Sequence, residues 1–248
     1  MKKPNGVELW RGPSEIDGQP IVLIATGLAK GSKNTKTGAM IQTWILGADQ
    51  SPTDAVRTGA DSSICGDCKH RGTIENGKNI GRSCYVTVFQ APLNIWKSWR
   101  RGIYPTGTSL AGHFVRVGSY GDPAAVPSHV WKTALSGTLG NTGYTHQWRT
   151  AASAEYAPFV MASVETKEEA EQATGLGYRT FRVTSQDSRM DKRPREVICP
   201  ASKEAGVKTN CASCKACGGL SAKAKANIVI TVHGSAGKMA SHNKRMAA

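Results

Sequence analysis

The sequence predicts a single α/β domain built from repeated βα units, and three observations carry that prediction. Segments of strand length, rich in β-branched residues, alternate with segments of helical period from residue 84 onward. The units recur at roughly 30 residues, the length of a strand with its crossover helix. The 248-residue chain is also long enough for one large domain with a buried core. The predicted fold is a complete or partial βα (TIM-like) barrel, with an open doubly wound sheet as the alternative.

Residues 1–60 are predicted to form a β-rich N-terminal region that contains a β-hairpin. Two apolar runs of strand length, residues 20–26 and 41–46, flank a loop rich in glycine and lysine. The lysines of that loop, Lys30, Lys33 and Lys36, have no acidic neighbour in it. They could contact phosphate or simply solvate a turn, and the sequence leaves both interpretations open.

Residues 61–234 are predicted to be the βα-repeat core, which carries the metal ligands. The predicted strands are residues 85–89, 114–117, a short segment around 143–148, 159–164, 178–183, 196–199 and 228–232. The predicted helices are residues 92–101, 128–135 and 166–173, with Ser128 as an N-cap and a capping box from Thr166 to Glu169. Residues 235–248 hold Lys238, Lys244 and Arg245 and no acid, and they are predicted to be a basic, flexible tail.

A cysteine-rich segment near the carboxyl end is the strongest chemical signal. Cys211, Cys214 and Cys217 follow a C-x2-C-x2-C pattern, and Cys199 lies twelve residues before it. Such a loop can wrap a [4Fe-4S] cube while a more distant cysteine supplies the fourth thiolate. A four-thiolate zinc site is the alternative, although zinc sites usually use two separate C-x2-C pairs. The spacing favours iron-sulfur.

A second group of cysteines precedes it, so the sequence predicts one or two metal sites. Cys65 and Cys68 form a C-x2-C pair, and Cys84 follows after fifteen residues. This group has three thiolates, so its fourth position falls to an outside ligand such as His70, or to water, substrate or a cofactor. Cys199 could instead join this group, and the sequence leaves that partition open.

Residues that follow the predicted strands are candidates for chemistry, because functional side chains gather at the carboxyl ends of parallel strands. The candidate catalytic residues are Asp122, Tyr144 and His146. The candidate cofactor-binding residues are Tyr120, Gly121 and His233. Glu165 also follows a strand, but residues 165–171 are predicted to be a solvated helix face.

The net charge of +14 and the pI near 9.6 predict a polyanionic partner, either a nucleic acid or a nucleotide. The alternative is that the basic surface serves only to keep the protein soluble. The segment 96–101 interleaves two tryptophans with cations, which is typical either of base stacking or of a helix with a tryptophan core face. No run approaches the ~18 apolar residues that a membrane helix needs, so no membrane association is expected.

Several motifs together resemble a group of cysteine-rich proteins encoded by tailed bacteriophages. They are Cys65-Gly-Asp-Cys68, Arg82-Ser-Cys-Tyr85, the segment 116–127, the segment 143–149 and the run from Cys199 to Cys217. The resemblance implies a phage protein, and the first residues lack the apolar stretch of an export signal, so we expect it in the host cytoplasm. The layout is also similar to that of radical SAM enzymes, with a βα barrel, an early cysteine trio and a later cysteine-rich region. The trio differs, however, being C-x2-C-x15-C here and C-x3-C-x2-C in those enzymes.

These observations predict an iron-sulfur protein that performs redox or radical chemistry on a nucleotide or nucleic acid, with SAM as a conceivable further cofactor. The alternative is a zinc-stabilised, non-enzymatic protein that binds nucleic acid or a host protein. Whether the protein is an enzyme is left open by the sequence.

Overall fold

A nine-stranded, mostly parallel sheet forms the centre of the structure, a computed structural model that describes residues 4–32 and 34–247. In chain order its strands are β1 (Gly6–Pro13), β2 (Pro20–Thr26), β3 (Ile41–Gly47), β6 (Phe114–Tyr120), β7 (Gly140–Thr145), β8 (Met161–Val164), β9 (Thr180–Thr184), β10 (Glu196–Ile198) and β11 (Asn227–Thr231). The spatial order is β1-β2-β3-β6-β7-β8-β9-β11-β10. Strands β4 (Thr73–Glu75) and β5 (Lys78–Ile80) form a separate hairpin.

Helices connect the parallel strands. They are α1 (Pro52–Thr58), α2 (Ser62–Cys65), α3 (Ala91–Arg100), α4 (Ser128–Leu135), α5 (Lys167–Gly175), α6 (Ser188–Asp191), α7 (Cys211–Cys214) and α8 (Ala236–Ala247), with short 3-10 turns at Lys69–Arg71, Pro123–Ala125, Ala151–Tyr156, Lys203–Ala205 and Gly219–Ser221. None of the helices in the described part of the chain has the length and apolar character needed to cross a membrane.

The two faces of the sheet have different surroundings. Val115 and Val117 of β6 are fully buried in the same hydrophobic cluster as Trp131 of α4. Side chains alternate along a strand, so Arg116 points to the opposite face, where it lines a cavity. Helices therefore cover one face, and the other face is free to carry a site.

The mixed α/β class is confirmed, whereas a complete barrel is wrong for the described residues. Strands β1 and β10 lie at opposite edges of the sheet, and no described pairing joins them. The predicted hairpin of β2 and β3 is present, and β1 extends it as a third antiparallel neighbour. The first three strands thus form an antiparallel edge of the sheet. The six remaining strands supply fewer βα units than the eight that close a TIM-like barrel.

The three predicted helices are present, although one of the two predicted N-caps differs. Helices α3, α4 and α5 lie where they were predicted, and Thr166 caps α5 by accepting from the Glu169 amide. Trp99 is buried, as the core interpretation of segment 96–101 requires. Ser128 is the first residue of α4, and Pro127 occupies the N-cap position instead.

Two predicted elements were wrong. Residues 85–89 have no strand partner and run as irregular chain along the cavity. The predicted flexible tail is largely the helix α8, whose amphipathic pattern places His242 in the interior. A helix of this kind is stabilised mainly by tertiary packing, which composition alone does not reveal.

Candidate metal centres

Cys65, Cys68 and Cys84 come together as a first cysteine set although fifteen residues separate the last two. The Cys68 amide donates to the Cys65 carbonyl (3.2 Å), which makes the tight turn of a two-thiol knuckle. The Cys84 amide donates to the carbonyl of His70 (2.8 Å) and brings the third thiol back to that turn. The hairpin β4–β5 lies between Cys68 and Cys84 in the sequence. These two cysteines are therefore distant along the chain but close in space.

Ion pairs hold together the two ends of the segment that contains the β4–β5 hairpin. The Asp61 carboxylate, with only 1% of its side chain exposed, binds Arg71 at 2.9 Å and Arg82 at 3.2 Å. Burial raises the pKa of the Cys84 thiol, and the nearby Arg82 guanidinium opposes that rise. A cation therefore already lies beside the thiols of the first set.

Cys199, Cys211, Cys214 and Cys217 form a second cysteine set, anchored to the sheet at both of its ends. Cys199 directly follows β10, and its amide donates to the Val229 carbonyl of β11 (2.9 Å). The Cys217 carbonyl accepts from the Gly143 amide of β7 (3.1 Å). Burial raises the pKa of the Cys217 thiol to about 12, so this group is neutral at physiological pH unless a metal displaces its proton.

The middle of the second set is held by the β2–β3 loop. The Cys211 amide donates to the Lys36 carbonyl (2.9 Å), and Asn210 caps α7 by accepting from the Ser213 amide. The Lys36 ammonium lies near the sulfurs of Cys199 and Cys211 and 3.3 Å from Nε2 of His233. The loop therefore supplies both a docking surface and a positive charge. Lys33, predicted with it, lies outside the described residues.

Arg179 fixes the chain after Cys217. Its guanidinium donates to the carbonyls of Ala216 and Gly219, each at 2.9 Å, and also to Ala226. Gly219 has a φ of +62°, and a Cβ there would lie 2.5 Å from the Ala157 carbonyl oxygen, so only glycine fits. The loop that carries the last thiol is thus rigidly placed.

All three cysteines of the first set, but only Cys211 of the second, line a cavity of about 450 Å³ against the face of the sheet that helices leave free. Its wall includes Cys65, Cys68, Cys84 and Cys211. The six predicted site residues also line it: Tyr120, Gly121, Asp122, Tyr144, His146 and His233. The strand-end argument therefore named residues that line one cavity, while their catalytic or cofactor-binding roles stay predictions.

Asp122 has its carboxylate committed to the protein. Its oxygens accept from the Ala124 amide (3.0 Å), from the Thr145 hydroxyl (2.7 Å) and from the His146 amide (2.7 Å). The carboxylate also lies 3.8 Å from Nδ1 of His146. This geometry favours a positioning role for Asp122 over direct contact with a substrate.

Tyr144 and Arg116 stack on each other beside the second set. The Arg116 guanidinium carbon lies 4.4 Å from the Tyr144 ring centroid. Burial raises the pKa of Tyr144 well above its usual value, and the nearby Cys217 thiol adds to the rise. Among the described residues, no carboxylate lies within 4.0 Å of the Arg116 guanidinium, and its polar neighbours are the hydroxyls of Tyr85 and Tyr144 and the thiol of Cys211.

A third polar cluster, which the sequence did not predict, joins His70, Glu165 and His242. Among the described residues it is the only group whose three potential ligand atoms all lie within 4.8 Å of one another. The Arg245 guanidinium binds Glu165 and lies 3.1 Å from Nδ1 of His242, so a cation already occupies this centre. Glu165 is buried, and its expected place on a solvated face was wrong.

His70 belongs to this cluster rather than to the first cysteine set. Its Nδ1 lies 2.9 Å from the Ser83 hydroxyl, and its Nε2 lies 3.3 Å from the Glu165 carboxylate. Burial, together with His146 and Arg245 nearby, lowers the pKa of His70 to about 2.

Comparisons with protein-family models, with curated proteins and with solved structures find no match to this chain.

Proposed function

We propose that this protein binds an iron-sulfur cluster in each cysteine set and carries out redox chemistry on a small anionic substrate in the cavity between them. The observation that carries the proposal is that the three cysteines of the first set and Cys211 of the second line one cavity at the carboxyl edge of the sheet. An iron-sulfur cluster supplies one-electron transfer when bound. The protein's own part is to hold the thiols, to exclude water and to orient the substrate.

The spacing of the cysteines along the chain supports iron-sulfur over zinc. Cys211, Cys214 and Cys217 follow a C-x2-C-x2-C pattern, which can wrap a [4Fe-4S] cube while Cys199 supplies the fourth thiolate. Structural zinc sites usually draw on two separate C-x2-C pairs, so the middle cysteine of this run would have no place in one.

The distribution of cations supports the same proposal. A cube with thiolate ligands carries net negative charge, which costs free energy when buried unless positive groups lie nearby. Arg82 lies beside the first set, and Arg116 and Lys36 lie beside the second. Each set therefore has counter-charge of its own.

The cavity favours a small anion, and a mononucleotide is the substrate class that we propose. Its volume of about 450 Å³ falls within the ~300–1,000 Å³ usual for small-molecule sites. The Arg116 side chain reaches the cavity with no carboxylate partner in the described part of the chain, and a guanidinium pairs readily with phosphate. Tyr85 and Trp44 in the wall offer aromatic surface for a base.

Anaerobic purification followed by a visible spectrum, with iron, sulfide and zinc quantified on the same sample, tests the proposal. We expect a brown protein with broad absorption near ~400 nm and equal amounts of iron and sulfide. A colourless protein with stoichiometric zinc would contradict it and favour the zinc-stabilised, non-enzymatic alternative.

A further inference from the structure

The first cysteine set offers three thiols, and a four-coordinate metal site or a cube needs one ligand more. His146 follows β7 directly and lines the cavity together with Cys65, Cys68 and Cys84. Its Nε2 is buried and has no hydrogen-bond partner among the described residues. A buried imidazole nitrogen without a partner is costly, which calls for an explanation.

The surroundings of His146 are those of a metal-binding histidine. Nδ1 faces the Asp122 carboxylate at 3.8 Å, longer than a hydrogen bond, and the carboxylate is held by the Thr145 hydroxyl and the His146 amide. A carboxylate beside one ring nitrogen is typical of a histidine that binds a metal through the other nitrogen.

Two further hydrogen bonds set the position of His146 relative to the Cys65–Cys68 turn. On one side, the Asp122 amide donates to the Ile64 carbonyl (2.6 Å), one residue before Cys65. On the other side, the Gln147 amide group donates to the carboxylate of Asp67 (2.6 Å) and to the Cys65 carbonyl (3.3 Å). The residues that flank His146 in space are therefore tied to the chain segment that carries two of the thiols.

His70, the other histidine near the first set, is not free for this role. Both of its ring nitrogens already face Ser83 and Glu165, as described above. The ring centroids of His70 and His146 lie 5.5 Å apart, so His70 is a matched neighbour with different partners.

We infer that His146 is the fourth ligand of the first cysteine set and binds through Nε2, giving a site of three thiolates and one imidazole. The inference rests on the proposed function for the identity of the metal. It also implies a closed site, in which neither SAM nor substrate binds the metal directly. The first cluster would then pass electrons to the cavity without reacting there itself.

Pulsed EPR on the reduced, anaerobically purified protein, grown with ¹⁵N-histidine, tests the inference. We expect a strongly coupled ¹⁵N in wild type and in His70→Ala, and its loss in His146→Ala. His146→Cys, which offers a thiolate in place of the imidazole, should keep the iron content of wild type without the nitrogen coupling. Wild-type clusters that show no strongly coupled histidine nitrogen would overturn the inference.

Addition of SAM to the same reduced sample gives a second test. We expect the EPR spectrum to stay unchanged, because no iron position is open. A shifted spectrum would overturn the inference and indicate an open iron. The two proposals fail separately: absence of iron and sulfide rejects the proposed function, whereas full iron content without histidine coupling rejects only the assignment of His146.

Discussion

The guanidinium of Arg245, in the last helix, donates a hydrogen bond to the carboxylate of Glu165 at the carboxyl end of β8. The same guanidinium donates to the Ser83 hydroxyl at 2.9 Å, one residue before Cys84. His242 of α8 is fully buried beside them. Helix α8 is therefore attached both to the sheet and to the segment that carries the third thiol of the first set.

Glu165→Gln should weaken this attachment. The variant removes the charge that Arg245 pairs with, and a hydrogen bond to a charged group contributes about 1.5–3 kcal/mol to stability. We expect a loss of that size in chemical denaturation and faster amide hydrogen exchange over residues 236–247.

Arg189→Gln is the matched control for this variant, because Arg189 pairs with Asp187 on the surface. An exposed ion pair of this kind contributes little to stability, so the unfolding midpoint of Arg189→Gln should equal that of wild type. Unchanged exchange in α8 of Glu165→Gln would show that the contact does not hold the helix.

Asp191 should contribute an acid-sensitive part of the stability. Burial alone raises its pKa, but hydrogen bonds from Arg182 (2.7 Å) and Lys167 (3.2 Å) lower it overall. A carboxyl whose pKa is lowered by folding stabilises the protein above its unfolded pKa of about 3.9, and this contribution is lost as the pH falls through the lower folded value. Stability measured by denaturation should therefore decline below about pH 4.

Asp191→Asn isolates that contribution. The amide cannot ionise, so the variant should be less stable at neutral pH and lose less stability on acidification than wild type does. Equal acid sensitivity in both proteins would mean that Asp191 does not govern the decline.

Gly66→Ala should damage the first cysteine set selectively. Gly66 lies between Cys65 and Cys68 with a φ of +57° and a ψ of −133°, a conformation that side chains disfavour by about 1–3 kcal/mol. A Cβ there would also overlap the amide of Gln147, which fixes this turn. We expect metal content to fall to about half, since the second set is untouched.

Gly18→Ala is the control, because Gly18 also has a positive φ (+76°) but open space around it. It should lose a little stability and keep its full metal content. Equal metal content in the two variants would mean that the turn at Gly66 does not shape the site.

The sequence predicted which residues gather around the cavity because its signals were local. The spacings within Cys65–Cys68 and Cys211–Cys217 define two thiol-rich turns, and strand ends placed Asp122, Tyr144 and His146 on one edge. Such patterns depend on a few neighbouring residues and on the geometry of parallel strands, which a sequence displays directly.

What the sequence did not predict depends on long-range contacts. Glu165 follows a strand and precedes a capped helix, so nothing nearby indicates that it is buried against Arg245, 80 residues later. The segment 85–89 has strand-like composition, yet no neighbouring strand pairs with it. The open edge of the sheet likewise reflects how β1 to β3 pair, which local composition leaves undetermined.

The central claim is that the two cysteine sets are separate sites, and iron content per chain in single-set variants tests it most directly. Wild type should hold about eight irons and eight sulfides. Cys68→Ala and Cys214→Ala should each retain about four, because each variant disables one set and leaves the other intact. Loss of all iron in either variant would indicate one shared cluster, and wild-type protein that holds zinc without iron would contradict the account as a whole.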